Sequence, residues 1–345
     1  MKSLSRRQFV ATGATIGAAL AFAPALKSAQ AAPAVKLLVS SSMQKDAQTS
    51  AHYAWFERFA SNVQSSLGDK VELTYFPNGQ LGKEADVIQQ VKSGGVDMAV
   101  TGSSNLATIC PEFGMLDYGY VFDSYQHAAK ALDSGVSEQL GKIIRDKTGV
   151  SVVGWGFHFG ARSVYTKNKL AAMADLKGVK LRVLPAPAFL QTFSLLDAIP
   201  TPVPVNELYT ALQTGVVDGF EHDPGTAIDG KFYEVAKNCL LTEHLFSPMC
   251  AIIGKRALAK IPADLQPAFL QAARDATIGQ RDYAVGKAKE TLDKLAQLGV
   301  AITPVSPAER KAAQKVIADQ LWAKFGEQYP ATKPAFAVID QTRSA

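Results

Sequence analysis

The sequence predicts an α/β protein built as two lobes. Short apolar strands alternate with amphipathic helices, and the chain is longer than a single compact core usually organises. No linker rich in Pro or Gly separates independent domains, so the two halves are expected to be woven together by chain crossings. Lys36–Ser40, Val71–Phe76, Val96–Val100, Val152–Gly156 and Lys180–Leu184 are apolar runs of strand length. Between them, His52–Val63 places Trp55, Phe56, Phe59 and Val63 on one helical stripe, and Glu84–Lys92 and Tyr125–Lys147 repeat the pattern. Such alternation suits open, mainly parallel sheets, whose ligands sit beyond the carboxyl ends of the strands. Pro262–Gly299 reads as one long helix rich in Ala, Leu and Lys, and Pro307–Phe325 as another.

The amino terminus reads as a targeting segment. Ser5-Arg6-Arg7-Gln8-Phe9-Val10 is a twin-arginine signal, a mild apolar run follows to Leu26, and Ala29-Gln30-Ala31 offers a small-x-small cleavage site. Residues 1–31 are therefore expected to be removed, with export to the periplasm. The run is too short and too weakly apolar to remain as a membrane span. It carries Lys2, Arg6, Arg7 and Lys27 and no acid, so its removal takes the formal net charge from +5 to +1. A nearly neutral, mixed surface gives no electrostatic reason to expect nucleic acid or an anionic membrane as partner.

Chemistry-bearing motifs are scarce. The three cysteines, Cys110, Cys239 and Cys250, form no Cys-x-x-Cys pair. Cys239 and Cys250 could be bridged if their strands lie side by side; three buried thiols are the alternative. There is no phosphate-binding Gly-x-x-x-x-Gly-Lys-Ser/Thr, no Gly-x-Ser-x-Gly and no His-Glu-x-x-His. His52, His127, His158, His222 and His244 lack metal-ligand spacing. No catalytic residue, metal or cofactor is expected.

The most informative stretch runs from Asp175 to Pro224. In Leu176-Lys177-Gly178-Val179-Lys180-Leu181-Arg182 an arginine is set near the end of an apolar strand. Burying it is costly unless an anion meets it, and its planar fork suits a carboxylate. That anion could be an internal Asp or Glu, or a ligand. Asn206-Glu207-Leu208-Tyr209-Thr210-Ala211-Leu212-Gln213 and Val217-Asp218-Gly219-Phe220-Glu221-His222 follow.

These three segments, in this order, resemble the four-carbon-dicarboxylate-binding family of solute-binding proteins from TRAP transporters (tripartite ATP-independent periplasmic carriers). The resemblance extends from about Val35 to Trp322. It implies a periplasmic binding protein shaped like a clam-shell, with crossing hinge strands and a long hinge helix. The implied lobes are 32–158 plus 248–287 and 159–247 plus 288–345, with crossings near His158–Gly160, near His244–Pro248 and within the long helix. It further implies a monomer that captures a small organic anion and delivers it to integral membrane permease subunits, without catalysis.

Carried over position by position, Arg182 matches the arginine that clasps the solute carboxylate. Arg162 matches a second arginine near the pocket, although pairing with a structural acid stays open. His222 stands where many members have Asn, and Glu221 is expected to orient this network rather than touch the solute. Glu84 matches an acidic position that meets polar solute groups; stabilisation by its helix dipole is the competing reading. Ser103 and Asn105, after the Val96–Val100 strand, suit either a polar ligand or a helix cap. Val205 stands where relatives often place an aromatic, and His158 and Phe159 where others are polar. A hydroxy, sugar or aromatic acid would fit. A binding protein of an ATP-driven importer, an exported enzyme acting on an organic acid and a sensory subunit are the alternatives.

Overall fold

A computed structural model describes residues 35–343; the expected targeting segment lies outside them. Two sheets organise the described chain. The first has the order β2-β1-β3-β10-β4, with β1 Val35–Ser40, β2 Val71–Phe76, β3 Met98–Gly102, β4 Val150–Phe157 and β10 Pro248–Gly254. The second has the order β11-β9-β5-β8-β6-β7, with β5 Arg162–Thr166, β6 Lys180–Val183, β7 Ile199–Pro202, β8 Gly219–His222, β9 Asn238–Leu245 and β11 Ala301–Pro304. In each sheet a single strand runs against its neighbours: β10 in the first and β5 in the second. These are the two strands that follow chain crossings. The chain passes from β4 to β5 through His158–Ala161 and returns from β9 to β10 through Phe246–Ser247.

Helices form where the sequence places an apolar stripe between good ends. Helix α1 Ala51–Leu67 is capped by Ser50, whose hydroxyl accepts from the Tyr53 amide at 3.2 Å, and stops at Gly68. It buries Trp55, Phe56, Phe59 and Val63. Helix α2 Glu84–Ser93 carries Glu84 and Asp86 in its first turn and ends at a left-handed Gly94. The stretch expected as one helix from Tyr125 is divided into α3 Tyr125–Ala131 and α4 Ser137–Thr148 by a widened turn, where Gly135 adopts φ 123°. The remaining helices are α5 Pro187–Leu195, α6 Leu208–Gln213, α7 Pro224–Asp229, α8 Lys255–Lys260, α9 Gln266–Gln297, α10 Pro307–Ile317, α11 Ala323–Gln328 and α12 Lys333–Thr342. The expected helix over Pro307–Phe325 is likewise interrupted, by a widened turn at Ala318–Trp322. None of these helices is long and apolar enough to cross a membrane.

Helix α9 ties the halves together. Its first half packs on α1, where the Trp55 indole donates to Thr277 Oγ1 at 3.0 Å, and Phe269 and Ala273 join the larger apolar core. Its second half packs on α7, and Leu295 joins the separate core of the second sheet. Helix α12 packs on α3, which precedes the first crossing. Cys239 lies on β9 and Cys250 on β10, in different sheets, and all three thiols are free and buried; the side-by-side arrangement that a bridge requires does not occur.

The first crossing is held from both sides. The Tyr125 hydroxyl lies 2.9 Å from the His158 carbonyl and 2.6 Å from that of Gly160, and Thr291 Oγ1 donates to the Phe159 carbonyl at 3.0 Å. Gly160 makes the turn with φ 112°, and a Cβ there would sit 2.8 Å from Pro224 Cδ. Gly160→Ala therefore combines backbone strain with a clash. We expect a loss of roughly 2 kcal/mol or more, measured as a shifted urea midpoint.

Candidate functional site

Strand ends from both sheets converge on one small pocket. Six stretches contribute: Met43 after β1, Gly102 at the end of β3 with Ser104 and Asn105 after it, His158 after β4, Ser247 before β10, and Glu84 and His52 from the first turns of α2 and α1. The second sheet contributes Arg162 at the start of β5, Arg182 and Leu184 at the end of β6, His222 at the end of β8, and Val205. Reversal of β5 explains the meeting: its first residue lies where its neighbours have their last, as the pairing of Ser163 with His222 requires. These side chains close on one another and leave a cavity of only about 10 Å³.

The two arginines differ in their partners. Arg162, only 2% exposed, grips Glu221 with two parallel bonds, Nε to Oε2 and Nη2 to Oε1, each 2.7 Å. Its guanidinium also lies 5.1 Å from the centre of the Phe189 ring. Burial alone would raise the Glu221 pKa, but Arg162, helped by His244 Nε2 at 3.3 Å, holds it down at about 2. Arg182, 1% exposed, uses Nε on the Val203 carbonyl at 2.8 Å, while Nη1 is buried with no partner. No carboxylate lies within ion-pair distance of Arg182 among the described residues. Burial lowers its pKa to about 10, opposed by the Glu221 and Glu84 charges, so it stays protonated at neutral pH.

Around Arg182 the surface is polar but held close to neutral. Burial raises the pKa of Glu84, against hydrogen bonds from Ser42 and Thr101 and the Arg182 charge. Thr101 Oγ1 lies 3.1 Å from Glu84 Oε1 and accepts from Asn105 Nδ2 at 3.0 Å. Burial also lowers the pKa of His52 and His158, and takes that of His222 down to about 3 with the help of Arg162. Asp223 is the exception. Burial opposes its charge, yet the bond from His222 Nδ1 at 2.8 Å and the nearby His158 keep it ionised. His158 Nδ1 is 3.4 Å from Asp223 Oδ2, while His158 Nε2 is buried and unpartnered.

Of the residues expected at the site, Arg182, Arg162, His222, Glu84 and Asn105 line the pocket. Three do not. Glu221 lies behind Arg162. Ser103 is buried beside the pocket, because the tight turn after β3 presents Ser104 instead, whose hydroxyl donates to Asp117 Oδ1 at 2.6 Å. Phe159 points into the hinge, edge-on to Tyr283 at 5.7 Å, since the turn at Gly160 carries it away. His52, Met43, Leu184 and Ser247 are lining residues that sequence reasoning missed. His52 belongs to the α1 stripe by spacing, and only its position in the first turn, after a strand end, could have marked it.

The two pairings predict unequal stability losses. Arg162→Ala strands a buried carboxylate and should cost about 3–5 kcal/mol. Arg182→Ala loses chiefly the bond to Val203 and should cost about 1 kcal/mol. Chemical denaturation of both variants checks this. The Glu221 contribution is present above its ordinary 4.5 and is lost as pH falls toward about 2, so Glu221→Gln should flatten acid unfolding across that window.

Comparison with known proteins bears on this geometry. Residues 41–328 match the family described as bacterial extracellular solute-binding protein, family 7. The 2,3-diketo-L-gulonate-binding periplasmic protein of Escherichia coli is 28% identical over 297 residues, covering 86% of this chain and 89% of that protein. Among solved structures, a sugar acid binding protein from Advenella mimigardefordensis in complex with galactonate superposes with TM-score 0.83 at 25% identity, covering 90% of this chain and 99% of that one. A TRAP periplasmic solute binding protein from Polaromonas bound to D-erythronate gives TM-score 0.83 at 25% identity, covering 90% and 100%.

Proposed function

The chain belongs to bacterial extracellular solute-binding protein family 7, and from that membership we propose that it captures a hydroxylated monocarboxylate, a hydroxy or sugar acid, in the pocket around Arg182. One observation carries this reading: the buried Arg182 Nη1 has no partner, whereas the Arg162 fork is committed to Glu221. One free guanidinium asks for one carboxylate. A second carboxylate would face Glu84 and neutral imidazoles, with the Asp223 charge behind them, and none of these welcomes it. Hydroxyl groups suit the remaining lining, since Glu84 accepts and His158 Nε2 and Asn105 can donate or accept. Met43, Leu184 and Val205 give the solute carbons an apolar wall. Galactonate and D-erythronate, bound by the similar proteins above, have this chemistry.

Capture would work by a population shift. A solute that touches both sheets' strand ends can do so only in the closed form, and so favours it. The lobes we assign are 32–158 plus 248–287 and 159–247 plus 288–345, with α12 of the latter reaching across to α3. The partner is the membrane permease of a TRAP transporter. We further assign export by the twin-arginine signal, cleavage after Ala31, and a monomeric state.

In a thermal-shift screen followed by calorimetry, C4 to C6 aldonates and uronates should stabilise the protein and succinate should not. Arg182→Ala should lower affinity about 100-fold or more while the fold survives. A variant that responds at wild-type strength would overturn the assignment. Light scattering should give one chain per particle.

A further inference from the structure

Helix α7 joins three working parts of the molecule. Asp223 caps its start, accepting from the Thr226 amide at 2.9 Å, and lies against His222 and His158 in the pocket. Gly225 lies so close to the first crossing that a Cβ there would meet Phe159 Cβ at 2.7 Å, and α7 also packs on the hinge helix α9. At the far end, Asp229 reaches across the mouth of the cleft. Its Oδ2 accepts from the Gln44 amide at 3.2 Å, its Oδ1 from Thr49 Oγ1 at 3.4 Å, and its carbonyl from the Gln44 side chain.

Gln44 follows Met43, a pocket residue, and its loop is tied back to the chain beyond β2 by a bond from the Asn78 amide to the Met43 carbonyl at 2.9 Å. Gln44 and Thr49 precede the first crossing, whereas Asp229 lies between the two strand crossings, so these contacts join the two halves. Lys83 and Glu207 pair across the same gap, but both are half exposed and contribute less. Asp229 is absent from the lining around Arg182.

We propose that Asp229 is a positioning residue that latches the closed cleft onto the Gln44–Thr49 loop, so that part of the preference for closure comes from the protein itself and not from the solute. This rests on the two-lobed closure argued above. The acid–base consequence has a definite sign. The groups facing the Asp229 carboxyl are Asp46 on the latch loop, Asp223 at the other end of α7 and Tyr75 on β2. Burial first, and then the two acids, push its pKa up to about 6, against the hydrogen bonds from Gln44 and Thr49. An open cleft returns the carboxyl to water and to its ordinary 3.8. Closing therefore takes up a proton, and the closed form gains as pH falls through about 6.

The test is a distance measurement between spin labels on cysteines placed at the exposed Asp69 and Lys177, one in each half, in the full mature chain without solute. The native cysteines are buried and should not label. Asp229→Ala should lower the closed-to-open ratio about tenfold. Asp229→Asn keeps an acceptor for the Gln44 amide and a donor for Thr49, so it should hold the closed distance and lose the wild-type gain between about pH 7.5 and 5. If Asp229→Ala fails to fold by circular dichroism, Gln44→Ala with Thr49→Val removes the same contacts from the other side. Wild-type distance distributions in the Ala or double variant, or an unchanged pH response in Asp229→Asn, would overturn the latch. No solute is present, so such a failure leaves the reading of the pocket to be judged by Arg182→Ala binding alone.

Discussion

The bond between Arg162 and Glu221 decides what the rest of the pocket can do. Two guanidiniums buried in one small volume repel each other, and neither could remain charged without compensation. Glu221 gives its full carboxylate to Arg162 through two bonds of 2.7 Å. That nearly neutral pair then lends Arg182 the residual field that helps keep it protonated, with Glu84 adding to it. The outcome is one satisfied cation and one unsatisfied cation side by side. The satisfied one organises the second sheet. The unsatisfied one retains a buried N–H with no partner.

Topology delivers these groups to one place. Ligand sites of parallel sheets lie at carboxyl strand ends, which accounts for Arg182, His222 and Asn105. It does not account for Arg162 or Ser247, which begin strands or precede them. The reversed strands β5 and β10 resolve this. Each follows a chain crossing, so each starts at the cleft and runs outward. The crossing strands therefore serve as hinge and as pocket wall together, and a change in the angle between the sheets must also move Arg162 and His158.

How much of this was legible in the sequence follows from what each inference required. Arg182 stood out because an arginine on an apolar strand is costly by itself, a local fact. Which of the two arginines was free could not be read, since the deciding partner of Arg162 lies 59 residues away on another strand. Ser103 and Ser104 are adjacent, and only the turn after β3 selects between them. Phe159 was misplaced for a similar reason: the left-handed Gly160 redirects the backbone, and nothing in the order Phe-His-Phe-Gly states which way it turns. The alternation of strands and helices was plain, but β5 and β8 are short, at five and four residues. The turns that divide Tyr125–Lys147 and Pro307–Phe325 leave the apolar spacing almost intact.

A carrier has to avoid closing firmly when empty, because an empty closed form would compete with the loaded one for the permease. A contact across the mouth must therefore be weak. The arrangement around Asp229 meets that demand by setting favourable and unfavourable effects against each other. The carboxylate accepts bonds from Gln44 and Thr49, but it does so while being buried near Asp46 and Asp223, which resist its charge. A neutral amide there would close more readily, and an alanine less. Since α7 carries Asp223 at one end and Asp229 at the other, any solute that orders the His158–Asp223–His222 cluster also fixes the helix that bears the mouth contact. A modest gain at the pocket is then added to a contact already near balance, and small free energies at both ends suffice to move the population from open to closed.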